Sequence, residues 1–317
     1  MNIVCSTDNN FVQHCCIMLT SVLVNNDNVT VFLLTEGLTK SNIEILRSEI
    51  ESKNGIFEYI IVENSIFSRL PMPNDSKLTH ITVATYYRLL VSDILPKNIE
   101  KVIYLDCDII VRKSLKDLWN TEISDYAIGS VHQMTEEVIS AQRLDYPNKY
   151  GYFNAGVLLI NMSYWRKFNI PEKLINYIVE NSNKIVYHDQ DALNAVLYNQ
   201  SFALPCKWNM IYFFFLKDAF KITEVHDTKL IEEYRTMLVY ELNDPTVIHF
   251  VSKPKPWQRY CIHRYRNEYY KFATLTIYFN NISKPNPILD FLHLIFLRII
   301  NLMAFIKHFL LKTLKLK

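Results

Sequence analysis

The sequence predicts an α/β fold, a mostly parallel central sheet with helices on both faces, extended at the C-terminus by an amphipathic helix. Three observations carry that expectation. Short β-rich apolar runs alternate with helical patterns from the first residues, an apolar run at 101–105 stops abruptly at two carboxylates, and the composition shifts after Pro285 and Pro287. In an open sheet of this kind ligands gather at the carboxyl ends of the strands, so chemistry is expected there.

Residues 2–7 read as a strand, and 11–25 as a helix with Val12, Cys15, Cys16, Leu19, Val22 and Leu23 at helical spacing. Residues 29–35 form the next strand, 39–53 a helix spaced at Ile43, Leu46 and Ile50, and 56–62 a third strand. The stretch 65–77 contains Pro71, Pro73 and Asn74 and reads as a loop. A helix around 84–94 precedes the strand 101–105. The apolar runs at 126–131 and 153–161 look like central strands, with a helix over 189–198 after them. Residues 208–222 are aromatic and irregular, as a binding loop would be, and a strand delivers His249.

Composition excludes several functions. Only 5 of the 317 residues are Gly, where average usage predicts roughly 22. Gly37, Gly55, Gly129, Gly151 and Gly156 stand apart, so neither a Walker loop nor a dinucleotide fingerprint is present. With 50% hydrophobic and 21% charged residues the chain can bury a large core. A net charge of +2 gives no argument for nucleic acid. The charge is uneven: from Ile288 onward five basic residues stand against one acid, leaving the first 287 residues at −2. The cysteines at 5, 15, 16, 107, 206 and 261 lack zinc-type spacing and disulfide-scaffold density, so reduced, mostly buried thiols are expected. The strand-like N-terminus lacks a basic segment followed by an apolar one, so a cytosolic location is expected for the catalytic part.

The strongest local signal is Ile103-Tyr104-Leu105-Asp106-Cys107-Asp108. Strand side chains alternate, so carboxylates one residue apart fall on the same side of an extended backbone. They repel unless neutralised, and hard oxygen ligands suit Mg²⁺ or Mn²⁺. A solvated loop start is the plainer alternative. A second group, Tyr187-His188-Asp189-Gln190-Asp191, runs into an apolar helix. Helix capping and the helix dipole explain Asp191 or His188 comfortably, and Asp189 and Gln190 less well. The third group runs from Val247 through His249 and Ser252 to Lys253-Pro254-Lys255-Pro256-Trp257. His249 alone fits a core histidine, but imidazole and lysine beside a Pro-stiffened loop also suit a metal–phosphate site. Asp8 and Asn10 follow the first strand and stand equally as helix caps, with Phe11 next to them. Tyr86-Tyr87-Arg88 reads equally as core aromatics with a surface arginine.

In order, these segments resemble the family 8 glycosyltransferases, particularly the bacterial lipopolysaccharide α-galactosyl- and glucosyltransferases. The resemblance covers roughly residues 1–260: Ser6-Thr7-Asp8-Asn9-Asn10-Phe11, His80-Ile81-Thr82 to Tyr86-Tyr87-Arg88, Tyr104-Leu105-Asp106-Cys107-Asp108, Tyr152-Phe153-Asn154-Ala155-Gly156 to Asn161, His188-Asp189-Gln190-Asp191 to Asn194, and His249 to Lys255-Pro256-Trp257. It implies a GT-A fold, a Rossmann-like mixed sheet flanked by helices, over residues 1–260, which leaves 261–317 as a C-terminal helical extension. It also implies Mn²⁺ (or Mg²⁺), a UDP-sugar donor, and transfer of galactose or glucose, with retention of configuration, to lipopolysaccharide or another cell-surface glycan.

By this resemblance Asp8 and Asn10 bind uridine, with Phe11 near the uracil. Asp106, Asp108 and His249 ligate the metal, Cys107 and Ser252 lie in the same binding motifs, and Lys255 holds phosphate. Arg88, Asn154, Ala155, Asp189 and Gln190 surround the donor sugar. Asp189 and Gln190 are the catalytic candidates, with the Gln190 side-chain oxygen nearest the anomeric carbon. Two departures stand out: Ser252 replaces a customary Gly, and His132-Gln133 occupy a strand end where galactosyltransferases carry an acid facing the acceptor.

From Asp290 onward, Asp290, His293, Arg298, Asn301, His308, Lys312 and Lys315 form one polar helical stripe among Leu, Ile, Phe and Met. The apolar stretches are shorter than the ~20 residues of a membrane span. The tail, 288–317, is therefore expected to lie on an anionic membrane surface, giving peripheral attachment to the inner face of the cytoplasmic membrane; packing against the same domain or a second subunit is the alternative. Two other functional classes compete. Leu105-Asp106-Cys107-Asp108 also resembles haloacid dehalogenase-like phosphatases, although Ile110 stands where they need Thr or Val. The third reading is a non-enzymatic nucleotide-sugar or glycan-binding protein.

Overall fold

The computed structural model describes residues 1–63, 70, 83–132, 137–211, 214, 241–251, 253–261, 263–282, 288–289, 292 and 295–296. The chain divides into two compact units, Met1–His249 and Phe250–Lys317.

The first unit is built on a seven-stranded sheet. Its strands are β1 (Asn2–Ser6), β2 (Thr30–Thr35), β3 (Ile56–Ile61), β4 (Lys101–Leu105), β6 (Ile128–His132), β7 (Phe153–Asn161) and β8 (Ser201–Ala203), in the order β3-β2-β1-β4-β7-β6-β8. Every pairing is parallel except those of β7 with β4 and β6. The carboxyl ends of β1, β4 and β6 therefore share one edge with the start of β7. A second sheet joins β5 (Ile109–Val111), β10 (Val247–His249) and β9 (Met210–Ile211), in the order β5-β10-β9. It matters because β10 pairs antiparallel with β5, aligning His249 with Ile109, the residue after Asp108.

Local chemistry explains these elements. The strands are apolar because both faces are covered: Ile3, Val4 and Cys5 of β1, Val102, Ile103 and Leu105 of β4, and Val157 and Leu159 of β7 are fully buried. The helix Val12–Asn25 buries most of its length, and Lys40–Glu51 starts at Thr39, whose hydroxyl accepts from the Asn42 N–H. Thr39 thus acts as the cap that its residue type favours.

Several expectations shift. The predicted helix around 84–94 is 3₁₀ over Val83–Leu90 and α-helical only over Val91–Ile94. In the irregular stretch 208–222, Met210–Ile211 is a strand; apart from 208–211 and 214 it lies outside the described residues. The loop 65–77 does so too, apart from Leu70, as do Ser252, His80 and the polar stripe of the tail. All six cysteines are free and buried. No helix among the described residues is long and apolar enough to cross a membrane.

In the second unit, the helix Arg266–Ala273 buries Tyr269 and Phe272, with Trp257 against Tyr269 at 5.2 Å between ring centroids. The buried Arg266 binds the carbonyls of Pro256, Gln258 and Cys261.

Candidate active site

β4 ends at Leu105, and Asp106 leaves the sheet as its N–H donates to the Gly156 carbonyl on β7. Asp106 and Asp108 project together, whereas the Cys107 thiol turns back to donate to the Ser6 carbonyl. Its partner Cys15 and burial push the Cys107 thiol well above the ordinary range, so it stays protonated. Of these three residues only the carboxylates can offer anionic oxygen.

β10 brings the third group. His249 Nε2 lies 3.1 Å from Asp108 Oδ1 and 3.8 Å from Asp106 Oδ2. Ligand atoms of Asp106, Asp108 and His249 all fall within 4.8 Å of one another, the only such cluster of His, Cys, Asp and Glu among the described residues. Two hard oxygens and one imidazole match a divalent cation. Gly156 contributes by lacking a side chain: a Cβ there would lie 2.1 Å from His249 Cε1 and 2.9 Å from Asp106 Oδ2. These residues fit a divalent metal.

Beside them Arg88, 6% exposed, ties the site together. Its Nη2 pairs with Asp106 Oδ1 at 2.7 Å, its Nε with Asp189 Oδ2 at 2.8 Å, and its Nη1 donates to the Ala155 carbonyl at 2.7 Å. The guanidinium stands 4.4 Å from the Tyr104 ring centroid. Burial works against its charge, but the two carboxylates hold the proton more firmly than usual. Burial pushes Asp189 up to about 7, with Arg88 pulling the other way and Asp106 adding repulsion. Arg88 is therefore a buried clamp rather than a surface charge.

The helix His188–Leu197 supplies Asp189 and Gln190 from its first turn. Asp191, fully buried, does the work of starting that helix: it accepts from the Val186 and Tyr187 N–H groups and pairs with Arg143 through both oxygens. Gln190 Oε1 accepts from Asn154 Nδ2 at 3.1 Å and from the Ala155 N–H at 3.0 Å, while its Nε2 donates to the Tyr152 hydroxyl. Tyr152 in turn donates to Asp191. Asn154, Ala155, Asp189 and Gln190 are thus brought together next to the carboxylate pair.

Asp8 lies just beyond β1, where its Oδ1 accepts from the Asn10 and Phe11 N–H groups. The carboxylate thereby shapes the turn into the first helix, and Asn10 is exposed. Phe11 sits edge-on to His14 at 5.1 Å. Lys255 belongs to the second unit, where its Nζ donates to the carbonyls of Phe250 and Val251.

Tyr104 and Tyr152 stand in the quoted motifs without a role, and Arg143 and Asn209 are absent from them. Asn209, fully buried, hydrogen-bonds to groups 40 and 55 residues away, His249 and Asn154. No local spacing advertises it, although its place just after Trp208 in the aromatic segment is a weak signal.

The chain is also similar to known proteins. The chain is 32% identical over 292 residues to general stress protein A of Bacillus subtilis, covering 90% of this chain and 96% of that one. It is 29% identical over 293 residues to the lipopolysaccharide 1,2-glucosyltransferase of Escherichia coli, covering 90% and 78%. Among solved structures, the galactosyltransferase LgtC in complex with donor and acceptor sugar analogs superposes with a TM-score of 0.76 at 26% identity, over 87% of this chain and 96% of LgtC. The pattern described as glycosyl transferase family 8 matches residues 2–261. With its mixed sheet, its carboxylate pair at the end of β4 and this match over most of its length, the chain belongs to glycosyl transferase family 8 and is a glycosyltransferase of GT-A fold.

Proposed function

We propose that this enzyme moves galactose or glucose from a UDP-sugar to a saccharide acceptor of the lipopolysaccharide or cell-surface glycan class, with retention of configuration. The observation that carries the reading is the convergence of Asp106, Asp108 and His249 beside the Arg88–Asp189 pair at one sheet edge. Mn²⁺ is the proposed cation; held by those three side chains, it would offset the negative charge that develops on UDP as the sugar–phosphate bond breaks. Lys255 supplies a further point charge for a phosphate oxygen. Asp8, Asn10 and Phe11 receive the uridine, and Cys107 and Ser252 are assigned to donor binding with their motifs.

Around the sugar, Asp189 and Arg88 bind hydroxyl groups, and Asn154, Ala155 and Gln190 orient the ring. Gln190 is an amide and a poor nucleophile, and its oxygen already accepts two hydrogen bonds. Front-face attack fits this arrangement: the acceptor hydroxyl approaches from the side the diphosphate leaves, and Gln190 stabilises the oxocarbenium-like sugar.

The catalytic domain is assigned to residues 1–260 and the extension to 261–317. The extension's tail, 288–317, is assigned to the inner face of the cytoplasmic membrane, where a lipid-linked acceptor is within reach. Ile288, Leu289, Leu292, Ile295 and Phe296 are exposed, and the net positive charge of the tail supports contact with anionic lipid.

Incubation with Mn²⁺ and each UDP-hexose tests the reading. UDP release that disappears in Asp108→Asn supports transfer. Phosphate release from monoesters would instead favour the phosphohydrolase class, and donor binding without turnover across a broad acceptor panel would favour a binding protein.

A further inference from the structure

We infer that Asn209 and Asn154 are positioning residues that dictate which nitrogen of His249 faces the two carboxylates. The inference rests on the metal reading above. Two backbone N–H groups, which can only donate, set the direction of the bonds. Gly156 N–H donates to Asn154 Oδ1 at 3.0 Å, so the other end of that amide must be its NH₂, which donates to Gln190 Oε1. Ala155 N–H donates to the same Gln190 oxygen, giving that contact the same sense independently.

The direction propagates from there. Asn154 Oδ1 also accepts from Asn209 Nδ2 at 2.9 Å, so Asn209 must present its oxygen at its other end. That oxygen is 2.9 Å from His249 Nδ1, which can therefore only be a donor. His249 keeps its hydrogen on Nδ1, and Nε2 is the ligand atom turned toward Asp106 and Asp108. Asn154, Asn209 and His249 are 5%, 0% and 3% exposed, so water does not compete for these bonds. An outer partner that fixes the tautomer and orientation of a metal-binding imidazole is a recurrent requirement of such sites. Asn209 meets it across 40 residues of chain, with its own orientation inherited from the backbone of β7.

The experiment uses the full chain and two readouts other than turnover. Free Mn²⁺ is counted by its electron paramagnetic resonance signal, and imidazole-nitrogen NMR on isotope-labelled histidine, with diamagnetic Cd²⁺ bound, shows which nitrogen carries hydrogen and which binds metal. His249→Asn identifies the resonances and tests the underlying reading, since wild-type Mn²⁺ affinity in that variant would remove His249 from the site altogether. In the native protein the hydrogen is expected on Nδ1 and Cd²⁺ on Nε2; the reverse would overturn the inference without any substitution at Asn209. Asn209→Ala is expected to lower Mn²⁺ affinity by roughly 10–100-fold and to mix the two nitrogen roles. Asn209→Asp keeps an acceptor for Nδ1 but loses the donation to Asn154 Oδ1, so it is expected to keep the hydrogen on Nδ1 and to bind Mn²⁺ more tightly than Asn209→Ala; nitrogen roles mixed as in Asn209→Ala would count against the inference. An Asn209→Ala protein with Mn²⁺ affinity and nitrogen roles like the native ones would refute it, and so would lost affinity with unchanged nitrogen roles.

Discussion

Replacing Gly156 with Ala adds one methyl group at the centre of the site. Gly156 does not adopt a positive φ, so the backbone itself accepts an L-residue there. The obstacle is the space: the new Cβ would lie 2.1 Å from Cε1 and 2.6 Å from Nδ1 of His249. Ordinary contact begins at 3.4 Å, so the ring must retreat by the difference, about 1.3 Å. His249 is held by Asn209 on one side and faces Asp108 at 3.1 Å on the other. Metal–ligand distances tolerate about 0.2 Å, well below that displacement. Gly156→Ala is therefore expected to lose the imidazole ligand, and with it at least the roughly 10–100-fold in Mn²⁺ affinity that disturbing an outer partner alone costs, with an overpacking cost of about 1–3 kcal/mol in stability. Electron paramagnetic resonance of free Mn²⁺ reads the first and urea unfolding the second. Gly129→Ala is the control: its Cβ would meet the Leu204 side chain first, at 3.3 Å from Cδ1, and that side chain can yield. A folded Gly156→Ala protein with native Mn²⁺ affinity would refute the steric argument and the ligand role of His249 together.

Gln190→Ala should lower kcat by roughly 100-fold while leaving donor affinity within a few fold, as a group acting mainly on the transition state would; a native kcat excludes that role. Arg88→Met leaves Asp106 and Asp189 without their buried partner and should cost about 3–5 kcal/mol in urea unfolding, whereas a surface arginine would cost almost nothing. His132 has its pKa lowered from 6.5 to about 4 by burial. The unfolded chain then binds more protons than the native one between those values, so this residue's contribution is complete above pH 6.5 and is lost as pH falls toward 4. His132→Phe should flatten that acid limb of the stability curve, and an unchanged limb would contradict the burial argument. Removing residues 290–317 should release the enzyme from anionic vesicles while sparing turnover of soluble acceptors, and retained vesicle binding would discard the tail assignment.

Much of the fold was legible because its strands are buried on both faces and so carry uninterrupted apolar runs, as at 101–105 and 153–161. The reading placed no element over the 11-residue helix Ile170–Glu180, nor over the short strands β5, β8 and β9, which hold too few residues for a period to register. The helix 188–197 shows the same boundary within the site. The sequence could say that capping explains some of its acids, but only the contacts of Asp191 with Val186, Tyr187 and Arg143 assign capping to that residue and leave Asp189 and Gln190 facing the site.

By itself the sequence determined the alternation of strands and helices, the placing of Asp106 and Asp108 on one side of an extended chain, and the ordered motifs of the family, because each is a property of neighbours in the chain. Tertiary structure decided the remainder. It made Arg88 a buried clamp instead of a surface charge, and it joined His249 to Asn154 through Asn209. It also gave Gly156 its role, to leave room for an imidazole contributed from β10. These depend on strand order and on the pairing of β10 with β5, which bring groups far apart in sequence within hydrogen-bonding distance, and no local spacing encodes that.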